Sequence, residues 1–359
     1  MLYHLLYPLR EVFSGFNVFK YITFRSAGAV LTALIVTFLF GKPVIAWLRR
    51  LKVGQHVRND GPQTHLSKQG TPTMGGILII LALAVSALLW SDLTNKYVWV
   101  VIFATLAFGA IGFWDDYLKV VKKRSKGLSA WQKMGLQVAA SVAIAVFLYH
   151  PGDPYSTHLS VPFMKQLFIN LGWFYIPFVV IVVVGSSNAV NLTDGLDGLA
   201  IGLVGIAATA NAILVYLGGN KIIADYLKIL YIPGSGELVI FCGALLGASL
   251  GFLWYNAHPA EVFMGDVGSL SLGGALGTLA VVTKHELILV IVGGIFVVET
   301  LSVAVQVASF KLTGRRVFKM APIHHHFEQI GWPESKVIVR FWIIGIILAL
   351  VSLGSLKLR

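Results

Sequence analysis

The chain is 359 residues long, 57% hydrophobic and only 12% charged, with a mean hydropathy of +0.79, whereas soluble domains carry about a quarter charged residues. That balance excludes soluble domains at this length, and because apolar stretches recur along nearly the whole chain, one membrane-embedded domain over residues 1–359 is expected. The net charge of +12 does not point to nucleic acid, since membrane proteins gather Lys and Arg on cytoplasmic loops, and the lone cysteine, Cys242, excludes both a disulfide framework and a thiolate metal site.

Residues 1–13 carry Arg10 and Glu11 after a short apolar run and lack the long apolar region and small-residue cleavage site of a signal peptide, so this segment is expected to be retained. Ten segments then qualify as transmembrane helices, with apolar centres at 27–40, 75–90, 98–114, 134–149, 171–184, 199–217, 238–255, 267–282, 287–310 and 337–356. The expected fold is all-α. Glu299 and Gln306 in the ninth segment lead us to expect its second half to bend out of the lipid. Residues 218–236, with their Gly and Pro, suit a short hairpin or a loop.

Three connections are strongly basic: 42–68, 119–133 and 311–340 hold 18 of the 28 Lys and Arg residues. They follow the first, third and ninth segments, so the positive-inside rule places them in the cytoplasm and, with an even number of helices, puts both termini outside.

The polar motifs fall on those same connections or on others of the same side. Lys68 and Thr71-Pro-Thr-Met-Gly-Gly76 follow the first segment, and Asp115 and Asp116 close the third. Asn188 and Asn191-Leu-Thr-Asp-Gly-Leu-Asp-Gly198 join the fifth to the sixth, Asn256 and Phe263-Met-Gly-Asp266 the seventh to the eighth, and His324-His-His326 lies between the ninth and tenth. Randomly scattered motifs would fall on both sides, so one composite site at the inner membrane surface is expected.

Each motif also has a bland reading. Asp115 and Asp116 would be a solvated helix end balanced by Lys119 and Lys122; yet an acidic pair at a helix C-terminus opposes the macrodipole and is costly at membrane depth, a penalty that a bound metal ion reverses. Asp194 and Asp197 suit an Asx turn and an N-cap as well as a nucleotide-contacting Gly-rich turn. Asp266 is a fair N-cap, but Mg²⁺ prefers carboxylate and phosphate oxygens, and Asp115, Asp116 and Asp266 emerge on one side. The histidine run lacks the cysteines or HExxH helix of a zinc site and suits hydrogen bonds to phosphate oxygens. Phe263 is either an interfacial anchor or a stacking platform.

Together, Ile111-Gly-Phe-Trp-Asp-Asp116, Asn188-Ala-Val-Asn-Leu-Thr-Asp-Gly-Leu-Asp-Gly198, Phe263-Met-Gly-Asp-Val-Gly268 and Ala321-Pro-Ile-His-His-His-Phe-Glu328 resemble, in order and spacing, the motifs of the phospho-N-acetylmuramoyl-pentapeptide-transferase family. The resemblance covers essentially the whole chain. It implies a homodimer in the bacterial inner membrane that uses Mg²⁺ to transfer phospho-N-acetylmuramoyl-pentapeptide from its UDP carrier to undecaprenyl phosphate, giving lipid I and UMP. By motif, Asp266 would be the Mg²⁺ ligand, with Asp115 and Asp116 at the reacting phosphates. Lys68, Thr73, Asn191, Asp194, Gly195, Leu196, Phe263 and Gln306, with Asp197 beside them, would bind substrate, Phe263 stacking on uracil. Asn256, Lys133, His324, His325 and His326 would line the catalytic cleft; Lys133 follows a loop of variable length in the family.

The resemblance extends to polyprenyl-phosphate N-acetylhexosamine-1-phosphate transferases, which share the acidic motifs. Their histidine motif is typically interrupted, so the continuous run at 324–326 favours the muramoyl-pentapeptide branch. In either branch a lipid phosphate oxygen can attack directly while Asp115 or Asp116 accepts its proton, or an aspartyl-phosphate can intervene. A transporter or channel is the rival of another class, but such proteins set ionisable groups along a pathway near the midplane, and here Glu299 is the main acid away from the surface cluster.

Overall fold

The computed structural model describes residues 1–51, 70–120, 122, 127–149, 155–164 and 167–357. Lys68 lies outside them. Fourteen α-helices are described: α1 (Leu2–Leu6), α2 (Ile22–Arg50), α3 (Gly76–Trp90), α4 (Lys96–Val120), α5 (Ala130–Leu148), α6 (Tyr175–Thr193), α7 (Leu199–Gly218), α8 (Lys221–Leu227), α9 (Leu238–Asn256), α10 (Gly265–Thr283), α11 (Glu286–Val292), α12 (Gly294–Thr313), α13 (Ile323–Gln329) and α14 (Glu334–Gly354). Among the described residues nine helical segments are long and apolar enough to cross a membrane, and α3 is a shorter apolar helix. The protein is an all-helical polytopic membrane protein. At 1.5 Å per residue the 15 residues of α3 span about 22 Å.

The ninth expected span is broken, but not where its polar residues suggested. The break falls at Gly293, between α11 and α12, and α12 runs unbroken through Glu299 and Gln306. Two consecutive glycines give the chain its kink, whereas Glu299 finds a partner inside the protein and has no reason to leave the bundle. The 218–236 stretch also differs: it forms the short helix α8, whose N-cap Asn220 accepts a hydrogen bond from the Ile223 N–H at 3.2 Å. A two-stranded antiparallel hairpin, β1 (His158–Ser160) and β2 (Phe168–Asn170), lies in the connection before α6.

Helix α10 is the centre of the bundle, packed against α4 and α6 on its longest contacts and against α3 and α7. Its small residues permit backbone contact, the main way helices associate where lipid removes the hydrophobic driving force. A Cβ on Gly112 of α4 would collide with the Asp266 carbonyl, and one on Gly76 of α3 with the Gly268 backbone. The second seam joins α9 to α2. Gly243, Gly247 and Gly251 recur every fourth residue on one face of α9 and meet Ser26, Val30 and Thr37 of α2.

The bundle's two ends both bury charge. At the end away from the polar motifs, the Arg25 guanidinium meets Glu237, with Nη2 donating to Oε2 at 3.0 Å, and the Asp92 N–H donates to the same carboxylate at 2.6 Å. Also at that end, Lys284 Nζ donates to the Tyr175 hydroxyl at 2.6 Å, which donates to Glu286 Oε1 at 2.6 Å.

Candidate active site

The Gly112 and Gly76 contacts bring the last turn of α4 and the start of α3 onto the N-terminus of α10, and this fixes the acidic residues. Asp115 and Asp116 are 2% and 5% exposed, so they are no solvated helix end. Asp266 is the second residue of α10, whose N-cap position is Met264; its carboxylate makes no helix cap and turns to side chains from elsewhere. Lys119 Nζ lies 2.7 Å from Asp115 Oδ2 and 2.9 Å from Asp266 Oδ2. Lys133 Nζ lies 3.3 Å and 2.7 Å from the same two oxygens. Asn191 Nδ2 donates to Asp266 Oδ1 at 2.7 Å and to Ser269 Oγ at 2.8 Å. Asp115 Oδ1 accepts from the Leu128 N–H at 2.7 Å, and Asp116 Oδ2 from the Val267 N–H at 3.2 Å.

Lys119 belongs to this centre and is more than a counter-charge for a solvated helix end, since it bridges Asp115 and Asp266. Its signal was present in the Asp115–Lys119 spacing of four residues, which places the pair on one helix face. Thr73 arrives through Gly265, whose φ of +71° and missing Cβ leave room for Asp116 Oδ2 and Thr73 Oγ1 on either side.

The substrate-side loops are laced together by the backbone. Phe263 N–H donates to the Pro72 carbonyl, Gly75 N–H to the Phe263 carbonyl and Gly76 N–H to the Met264 carbonyl, each at 2.8 Å. Phe263 itself stays partly exposed. Asn256 is buried and fully used: Oδ1 accepts from the Gly198 N–H at 3.0 Å and Nδ2 donates to the Val262 carbonyl at 2.8 Å, tying the 191–198 turn to the Phe263 loop. In that turn Asp194 is raised to about 8, first by burial and then by the negative charges of Asp266, Asp116 and Asp197. Leu196 is buried, and Gly198, with φ +81°, is the N-cap of α7.

Asp197 caps no helix. Its Oδ2 accepts from the Ala260 N–H at 3.1 Å and faces His258 Nδ1 at 3.2 Å, while its own N–H donates to Glu334 Oε1 at 2.9 Å. Ligand atoms of Asp197, His258 and Glu334 lie within 4.8 Å of one another, so the group could hold a cation; its hydrogen bonds already explain it as a clasp between two loops and the start of α14. His258 and Glu334 carried no local sequence signal, being 61 and 137 residues from Asp197.

The three histidines have three different settings. His324 is fully buried beside Glu299, with Nδ1 3.1 Å from Oε2. His325 Nδ1 lies 2.7 Å from Glu328 Oε2, and His326 Nδ1 accepts from the Lys319 N–H at 3.2 Å. Gln306 braces the same region: its amide accepts from the Val317 and Phe318 N–H groups and donates to the Phe318 carbonyl, and the Phe318 ring packs on His326.

Carboxylates bridged by lysines at the mouth of a helical membrane bundle are equipped to handle phosphate, and residues 98–284 match the family model for glycosyl transferase family 4. Fold and site thus define a polytopic membrane transferase, which sets aside the transporter. Residues 68–80 match signature 1 of phospho-N-acetylmuramoyl-pentapeptide-transferase. The enzyme of that name from Thermodesulfovibrio yellowstonii is 62% identical over 361 residues, and that from Desulfotalea psychrophila 57% over 361, each alignment covering all of both chains. The one from Geobacter sp. is 58% identical over 360 residues with the same coverage. The chain belongs to the phospho-N-acetylmuramoyl-pentapeptide-transferase family.

Proposed function

We propose that this enzyme transfers phospho-N-acetylmuramoyl-pentapeptide from its UDP carrier to undecaprenyl phosphate, giving lipid I and UMP, as a Mg²⁺-dependent homodimer whose site faces the cytoplasm of a bacterial cell. The observation that carries the reading is the bridging of Asp115 and Asp266 by two lysines, with Asp116 and Asp194 close enough to Asp266 to feel its charge. Two ammonium groups crowd one oxygen, Asp266 Oδ2, and supply the charge that a divalent cation would bring. The donor set of hard carboxylate oxygens fits Mg²⁺. Asp266 would hold it with Asp115 or Asp116 alongside, and when bound it neutralises charge on the two anionic substrates.

The chain's own residues supply the remaining chemistry. Lys119 and Lys133, freed from Asp266, are placed to grip phosphate oxygens. Asp115 has both oxygens engaged, so Asp116 is the better placed to accept a proton from the lipid phosphate as its oxygen attacks in line. Asn191 orients Asp266 from behind. Phe263 stacks on uracil, and Asp194 with the Gly195-Leu196 backbone meets the uracil edge. The hexosamine alternative is set aside by the full-length relatives and by signature 1, which belong to the muramoyl-pentapeptide branch.

UMP release by the purified protein in detergent tests the proposal. It should require Mg²⁺, the lipid phosphate and the muramoyl-pentapeptide nucleotide, and it should be absent with a UDP-N-acetylhexosamine. Turnover of the hexosamine nucleotide alone would refute the donor proposed here. A C-terminal reporter active only in the cytoplasm would refute the orientation, which rests on the basic connections.

A further inference from the structure

Glu299 is a carboxylate in the middle of an apolar helix, completely buried, 25 residues before the histidine it touches. Neither its oxygens nor the two ring nitrogens of His324 make a hydrogen bond among the described residues; the two side chains meet only as a close pair, His324 Nδ1 lying 3.1 Å from Glu299 Oε2. Burying such a pair in an apolar bundle is expensive, and apolar residues of similar volume would pack as well. What the imidazole reaches is the telling feature. Its far nitrogen, Nε2, stands where a Cβ on Gly195 would be, so His324 presses directly on the backbone of the 194–196 turn. Its ring also packs against His325, with centroids 4.2 Å apart. His324 is 0% exposed and is walled off by these neighbours from any substrate.

We propose that Glu299 is a positioning residue for the reaction: it orients the buried His324 imidazole, which props the Gly195 turn from behind and sets its fit to the uridine end of the nucleotide substrate. The inference rests on the reading of that turn as the nucleoside site, and it moves His324 from the cleft to the wall behind it. A carboxylate is needed because it fixes one ring nitrogen and so aims the other. Glutamine keeps the volume and loses that hold.

The test uses full-length protein in detergent, with the nucleotide substrate and the lipid phosphate varied separately and UMP binding measured by titration. Glu299→Gln should raise KM for the nucleotide substrate and weaken UMP binding by about tenfold, with kcat changed by less than about twofold and KM for the lipid phosphate unchanged. His324→Asn should do the same, and the double variant should be no worse than either single one, because both act through one contact. A fall in kcat at constant KM, additive effects, or loss of folded protein in both single variants would assign the pair to folding alone and overturn the proposal. Gly195→Ala separates the two layers. If it weakens UMP binding while Glu299→Gln does not, the positioning role is wrong; if UMP ignores Gly195→Ala as well, the nucleoside assignment fails and takes this inference with it.

Discussion

The two ends of the bundle bury charge in opposite ways. At one end Glu237 is held by Arg25 and the Asp92 N–H, and Glu286 by the Tyr175–Lys284 chain, so the acids there have nearby protein partners. At the other, Asp115 and Asp266 share Lys119 and Lys133, while Asp116 and Asp194 stand close enough to Asp266 to feel its charge and have no lysine bonded to them among the described residues. A balanced pair is a structural tie whose cost is repaid by its partner. An unbalanced cluster leaves negative charge that a cation can satisfy, and perturbed acids of that kind gather at functional sites. Buried charge alone therefore does not mark the site; the imbalance does.

The comparison is broken most easily at Asp266. Asp266→Asn keeps the shape and loses the charge a hard cation requires, and we expect turnover to fall on the order of a thousandfold with the folded yield unchanged. Near-normal turnover with wild-type Mg²⁺ dependence would sink the assignment. Phe263→Ala comes next. Stacking on a base is worth roughly 1–3 kcal/mol, so uridine nucleotide binding should weaken by about one to two orders of magnitude, and Phe263→Trp should retain most of it. Equal affinity in wild type and the Ala variant would return Phe263 to an interfacial anchor.

At the balanced end the expectation reverses. Glu237→Gln leaves Arg25 buried without its counter-charge, a loss of about 3–5 kcal/mol for a buried pair, and thermal stability in detergent should drop. The surviving folded fraction should turn over at the wild-type rate. A variant of normal stability and impaired turnover would erase the distinction between the two ends.

How much of this was legible beforehand follows from the range of each interaction. The ten apolar segments and the gathering of motifs on alternate connections are local or periodic properties, and the contacts Asp115–Lys119–Asp266 and Asn191–Asp266 bring those motifs together as expected. The acid pair at the end of α4 was conspicuous because it opposes the helix dipole. The Glu299–His324 pair and the Asp197–His258–Glu334 clasp were not legible, since each joins residues that only the packing of separate helices brings together. The break at Gly293 had no polar signal in the sequence, because two adjacent glycines within an apolar run are compatible with a continuous helix, whereas Glu299 and Gln306 are paired inside the protein. Asn256 read as a cleft residue, and only the structure shows both ends of its amide spent on joining two loops.

The smallest expected effect sharpens the comparison through pH. In metal-free protein Asp194 is raised from 3.8 to about 8 by burial and by Asp266 and Asp116. As pH rises past about 4 the unfolded chain gives up this proton while the folded state keeps it until about 8. Over that window the folded state binds more protons than the unfolded, so stability falls with rising pH and levels off above it. Asp194→Asn removes the titrating group. In chelator, melting temperature between pH 5 and 8 should therefore decline less steeply in the variant than in wild type. Adding Mg²⁺ should flatten the wild-type decline as well, because a cation among these carboxylates favours the ionised form of Asp194. Parallel declines in wild type and variant would mean that Asp194 is not held protonated by its neighbours, and the charge imbalance at this end would then be smaller than the four converging acids imply.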